Sequence, residues 1–338
     1  MPDKSLTAAG RHVPAAGFFG LVPTLAWNTF RTCNFRGALR MLTGISSDVN
    51  QRTLARPAVI AGPGLFHGVD CRLRLLPAAE NTGIIFRRVD LAARPEIPAN
   101  VRYVIPGSRR TILSANGATV ETTEHLMSAL AGLQVDNCVV EISARELPAV
   151  DGSSLPFCEA ILEAGLNQQS ALRRTTSISE LQRISEPSNG QWIECIPGYS
   201  EDLVIDYLLD YGPESPLPSQ SWAIQVTPEL YMSEIAGSRT FVMAAEVEAL
   251  QAAGFGRHLT GRDLVVFEKD GSVIDNRLRW PNEPVRHKIL DCIGDLALSG
   301  LNFSGRIVAR RSGHKLNHVM AEFLSTIENN RTAVGRAA

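Results

Sequence analysis

No C-x-x-C pair occurs among the six cysteines of this 338-residue chain, Cys33, Cys71, Cys138, Cys158, Cys195 and Cys292, which excludes a zinc ribbon and a dithiol redox motif. Scattered single thiols of this kind are expected to be buried and reduced. No apolar run reaches the roughly 20 residues that cross a bilayer. The nearest, Ala15 to Trp27, is interrupted by Pro23, so no transmembrane segment is expected. A surplus of charge is also missing: 33 Lys and Arg face 35 Asp and Glu, which gives nucleic acid no general footing as a partner. With 44% hydrophobic and 20% charged residues, nothing in the composition points to disorder, and it fits a globular enzyme with room for two domains. The chain has no H-E-x-x-H, no G-x-S-x-G and no P-loop, which removes the helical zinc proteases, the common serine hydrolases and the usual phosphoryl-transfer signature.

One further absence is local. Between Lys4 and Ser47 there is no Asp or Glu, while Arg11, Arg31, Arg36 and Arg40 supply positive charge. Residues 1–50 therefore stand apart as an N-terminal extension, readable as a plain extension, a membrane-surface helix or an organelle-targeting peptide. A secretory signal is disfavoured, because no small-residue cleavage site follows a compact apolar stretch.

From Gln51 onward the pattern changes to short apolar stretches, such as Cys71 to Leu76 and Gly83 to Phe86, between Gly, Pro and Asn signals. These predict antiparallel strands. Leu126, Leu130 and Leu133 predict a helix over 123–133, Val135 to Ile142 a strand, and Phe157 to Ala164 a second helix. The polar stretch 167–183 is expected to be a linker. The second half repeats strands followed by helices, with strands at 191–196, 203–209 and 264–267 and helices at 244–253 and 284–298. The fold class is thus α+β in two halves, 51–170 and 180–330, with 331–338 as a tail. No sequence repeat at a fixed period accompanies that order.

The strongest chemical signal lies on the last of these helices. His287 and Asp291 are four residues apart, hence on one face, and Asp295 continues the stripe. Imidazole and carboxylate both suit a metal such as zinc, although a pair standing alone reads first as a surface ion pair. Glu124-His125 opens the first predicted helix, as a further ligand beside a base or as a helix-stabilising acid next to a satisfied histidine. Arg310 to His318 sets His314 in a Gly-containing turn, or is an ordinary basic loop.

Taken together, these segments resemble one family, the UDP-3-O-acyl-N-acetylglucosamine deacetylases of lipid A biosynthesis, over about Gln51 to Ser325. The resemblance rests on Thr122 to Leu130 with Val135-Asp136-Asn137, on Glu146-Leu147-Pro148 through Asp151-Gly152-Ser153 to Pro156-Phe157, on Ser238-Arg239-Thr240-Phe241, on His287 to Asp295, and on Ser312-Gly313-His314. It implies two similar halves, each a β-sheet packed on helices, with the helices sandwiched between the sheets. It implies one catalytic Zn2+ held by His125, His287 and Asp291, a donor set that also suits Fe2+. Glu124 is then the general base, Thr240 the oxyanion donor, and His314 the acid kept cationic by Asp295. Phe241 and Lys288 would position the sugar, and Arg311, read equally as a solvated arginine, the nucleotide phosphates.

The substrate so implied is a UDP-acyl-glucosamine, in a bacterial cytoplasm, with no obligate protein partner expected. Two segments depart from the family pattern: Gly64-Leu65-Phe66-His67 has phenylalanine where a histidine is usual, and Gly256 to Leu264 replaces a Gly-Gly-Ser segment that borders the acyl passage. They keep open an amidohydrolase for another N-acetyl sugar; a non-catalytic regulator that binds the nucleotide sugar is the other alternative, against which the retained Glu124, Thr240, His314 and Asp295 argue.

Overall fold

The computed structural model describes residues 50–335 apart from 174, 199–201 and 262. The readings made for the N-terminal extension lie outside the described residues, as do residues 336–338.

The first half runs β1 (Asn50–Leu54), β2 (Ala58–Pro63), β3 (Asp70–Pro77), β4 (Ile84–Arg88), β5 (Glu96–Pro98), β6 (Val104–Ile105), β7 (Ile112–Ala115), β8 (Ala118–Glu121), α1 (Glu124–Gly132), β9 (Cys138–Ile142) and α2 (Leu155–Ala164). Its main sheet has the order β2-β3-β9-β4-β5, with β4 parallel to β9, and β6-β7-β8 form a smaller sheet beside it. The alternation the sequence predicts is plain in β3, where Cys71, Leu73 and Leu75 point inward and Arg72 and Arg74 outward.

The second half comprises β10 (Leu166–Leu172), β11 (Thr175–Ser177), β12 (Gln182–Glu186), β13 (Gln191–Ile196), β14 (Leu203–Leu209), β15 (Gln220–Gln225), β16 (Phe241–Met243), α3 (Ala244–Ala252), β17 (Val265–Phe267), α4 (Glu283–Ala297), β18 (Asn302–Arg310) and α5 (His314–Gly335). Its sheet has the order β12-β13-β18-β14-β15, with β11 also on β18. Strands β16 and β17 pair in parallel across α3 as a separate two-stranded unit.

The polar stretch 167–183 is not a linker. Most of it is strand, and β10 pairs antiparallel with β1. Its polar side chains hid this, because they are satisfied inside the fold: Gln169 accepts from Asn137 Nδ2 at 2.8 Å and donates to the Ala78 carbonyl at 3.0 Å. Asn50 likewise belongs to β1, and α5 runs through Gly335 into the segment expected to be a tail.

The helices meet between the two main sheets. One contiguous core joins Leu73 and Phe86 of the first sheet, Leu126 and Leu130 of α1, Val285, Ile289 and Ile293 of α4, and Ile205 and Tyr207 of the second sheet. Each such side chain contributes about 1.5–3 kcal/mol when fully buried. Helices α1 and α4 touch at the backbone: a Cβ at Gly294 would run into the carbonyl oxygen of Glu124. That approach brings the N-terminus of α1 against the C-terminal half of α4, beside Asp291 and Asp295.

Candidate active site

His125 comes from the first turn of α1, and His287 and Asp291 from adjacent turns of α4. All three are buried, and one donor atom from each lies within 4.8 Å of the others. His125 Nε2 is 3.7 Å and His287 Nε2 3.4 Å from Asp291 Oδ1. The second nitrogen of His287 faces the Ser238 carbonyl at 3.1 Å, which fixes the ring with Nε2 toward the cluster. Burial, then the neighbouring His287, pushes His125 down to about 3, and burial also lowers His287. Both imidazoles are therefore neutral, with lone pairs available. Burial opposes the charge on Asp291, but Lys288, whose Nζ donates to Oδ2 at 2.7 Å, holds it well below the usual carboxylate range. Two neutral imidazoles and an ionised carboxylate converging in a buried pocket fit a divalent cation.

Glu124 stands next to His125. Its Oε2 accepts from the Thr111 backbone N–H at 3.0 Å, and burial pushes its carboxyl up to about 7. His314 is the first residue of α5 rather than part of a turn. Its Nδ1 lies 2.8 Å from Asp295 Oδ2, which leaves Nε2 free. Burial works against the charged ring, yet Asp295 outweighs it and raises His314 to about 9.

Asp295 is fully buried and saturated with partners. Beyond His314 it accepts from Thr111 Oγ1 at 2.6 Å and Asn317 Nδ2 at 2.9 Å, and His318 Nε2 lies at 3.2 Å. Sequence reasoning missed Thr111, Asn317 and His318 as members of this group. Once α5 is known to begin at His314, the last two fall one turn on along the same face; nothing in the sequence around Thr111 marks it.

A cavity of about 1150 Å³ contains Glu124, His125, Thr240, Phe241, His287, Lys288, Asp291 and His314 in its wall. Thr240 is placed by its neighbour Arg239, whose backbone N–H and guanidinium are both held by the buried carboxylate of Glu283 at the start of α4. Phe241 packs its ring against His287 at 6.2 Å and Tyr211 at 6.3 Å, and Tyr211 is a wall residue the sequence did not single out. Arg311 is not brought to the wall. It pairs instead with Asp210 at 2.7 Å, while Lys315 from the first turn of α5 does line the cavity.

The fold and the site define a class: α+β proteins whose packed helices bring two imidazoles and a carboxylate that fit a divalent cation, with a further carboxylate and imidazole, to one cleft. The model of the UDP-3-O-acyl N-acetylglycosamine deacetylase family matches residues 51–326, and the chain belongs to that family. It is 36% identical over 272 residues to the UDP-3-O-acyl-N-acetylglucosamine deacetylase of Anaeromyxobacter sp. (strain Fw109-5), covering 80% of this chain and 87% of that one. The enzyme of the same name from Solibacter usitatus is 38% identical over 267 residues, 79% of this chain and 88% of its own length. That from Actinobacillus pleuropneumoniae serotype 3 is 34% identical over 283 residues, 83% and 92% of the two chains. Among the described residues no helix is long and apolar enough to cross a membrane.

Proposed function

We propose that this chain is a zinc-dependent deacetylase that hydrolyses the acetamide of UDP-3-O-(3-hydroxyacyl)-N-acetylglucosamine to the free amine and acetate, in lipid A biosynthesis. The observation that carries this reading is the meeting of His125, His287 and Asp291 within 4.8 Å, in the wall of the cavity that Glu124 and His314 also line. His125, His287 and Asp291 would hold the ion; when bound, zinc lowers the pKa of a water and polarises a carbonyl. Fe2+ suits the same donors.

Glu124 takes a proton from the attacking water at its carboxylate, and an environment that brings it to about 7 matches that task at neutral pH. The Thr240 hydroxyl donates to the acetamide oxygen as negative charge builds on it. The amine leaves only when protonated, and His314 delivers that proton from Nε2 while Asp295 holds the opposite nitrogen. Lys288 neutralises Asp291 and, with Phe241, borders the space for the sugar. The substrate is a cytoplasmic nucleotide sugar, and the reaction needs no protein partner.

The test is release of free amine from that substrate by the purified chain, with and without chelator, beside Glu124→Ala. Loss on chelation, recovery with zinc and a fall of about 10²–10⁴ in the variant are expected. Turnover that survives both treatments would remove the zinc and Glu124 assignments. Absence of turnover in zinc-loaded protein would remove the substrate.

A further inference from the structure

The two segments that depart from the family pattern lie far apart in sequence but form one object. The Gly256 backbone N–H donates to the Phe66 carbonyl at 2.9 Å, and the rings of Phe66 and Phe255 meet edge to face at 5.7 Å. Gly68 closes against the same loop, since a Cβ there would collide with the His258 ring. Phe66 and Phe255 both belong to the wall of the cavity, together with apolar residues such as Val247, Leu250, Leu259 and Ile274.

Behind the ring pair there is protein rather than solvent. The Arg110 guanidinium sits 4.2 Å from the centre of the Phe66 ring and 5.2 Å from that of Phe255. Arg110 is itself 8% exposed and donates through Nε at 2.8 Å to Glu121, a fully buried carboxylate that also meets His67 Nε2 at 3.1 Å and pairs with Arg145. A cation on a ring face is attracted to it, the more so when desolvated. Phe66 is thus clamped from behind by a buried ion-paired cluster and cannot swing aside without breaking it.

We propose that Phe66 and Phe255, backed by Arg110, form a fixed aromatic stop at the apolar end of the cavity and so set the longest acyl chain the protein accepts. This rests on the proposed function, which makes an acyl chain the apolar part of the substrate. An apolar chain gains affinity for every methylene it buries, about fourfold each at roughly 0.8 kcal/mol per buried CH2. The gain must end where the chain meets the rings.

The experiment uses the full chain and two ladders of rising chain length, free 3-hydroxy fatty acids for binding and the matching UDP-3-O-acyl-N-acetylglucosamines for turnover. In the unaltered protein, affinity should climb about fourfold per methylene and then stop or fall. In Phe66→Ala and in Phe255→Ala the break should move to longer chains, and the ratio of kcat/KM for long over short substrates should rise. Phe255 is half-buried, so its variant decides the matter should Phe66→Ala not fold. A break that stays in place in a folded variant, an unaltered protein with no break, or no fatty-acid binding at all overturns the stop. A break that moves while no substrate is deacetylated retains the stop and refutes the proposed function.

Discussion

Replacing Asp295 by Asn tests whether His314, the proposed acid, is charged because of one neighbour. His314 sits at about 9 although burial works against its charge, and Asp295 at 2.8 Å is the largest influence that raises it. Without the carboxylate, the ring should return at least to the ordinary histidine value near 6.5, a shift of about 2.5 units or about 3 kcal/mol. At pH 7.5 the protonated fraction then drops from nearly all to roughly a tenth, so kcat should fall about tenfold; toward about pH 5.5 the deficit relative to the unaltered protein should shrink, although both lose rate there as Glu124, at about 7, is protonated. The sign for stability is the same. A histidine whose folded pKa is raised stabilises the fold fully below about 6.5 and ceases to do so as pH rises through about 9, and Asp295→Asn removes that window. The assays are amine release across a pH series and melting temperature across the same series. An alkaline limb that stays near 9 in the variant, or a loss equal at every pH, would refute the assignment of His314 as the acid.

Glu124→Gln keeps the shape of the carboxyl but cannot accept a proton, so kcat should fall by about 10²–10⁴ with little change in melting temperature, measured by turnover beside calorimetry. Gly294→Ala forces a methyl into the Glu124 carbonyl where α1 and α4 touch; a cost of about 1–3 kcal/mol in denaturant unfolding and a loss of turnover are expected. Glu283→Gln leaves the buried Arg239 guanidinium without its counter-charge, which should destabilise by about 3–5 kcal/mol and disturb Thr240. Adding Zn2+ to metal-free protein should raise the melting temperature, and His125→Ala should remove most of that rise.

Elements with strong internal pattern were legible in the sequence. The alternation of β3, the leucines of α1 and the apolar positions of α4 each reflect burial that the residue types alone dictate. The face shared by His287 and Asp291 follows from helix geometry, and the sequence motifs supplied His125 as their partner. What stayed hidden depends on distant pairing. The polar strand β10 is stabilised by side chains that reach Asn137 and Ala78, and no local period records that. Arg311 carries the charge a phosphate would want, but Asp210, 101 residues away, already holds it. Thr111 links Glu124 to Asp295 through its backbone N–H and its hydroxyl, a role set only by where β7 begins. The contact between the Phe66 turn and the Phe255 loop was likewise invisible, although both segments stood out singly.

The packing of α1 against α4 also explains how one cleft holds both an acid and a base. Burial alone disfavours every charge there, which keeps His125 neutral, raises Glu124 to about 7 and would by itself leave His314 neutral as well. The outcome differs because the partners differ. Glu124 has burial and two other carboxylates, Asp295 and Asp291, acting against its ionisation, and only His314 and the donated N–H of Thr111 favouring it, whereas His314 has the carboxylate of Asp295 in direct contact. Two titrating groups in one desolvated space are thereby drawn to about 7 and about 9, and between those values the carboxylate is free to accept a proton while the imidazolium still has one to give. Asp295 is not itself in the cavity wall, so on the proposed function Thr111, Asn317 and His318, which hold it, bear on the chemistry through the charge it sustains on His314.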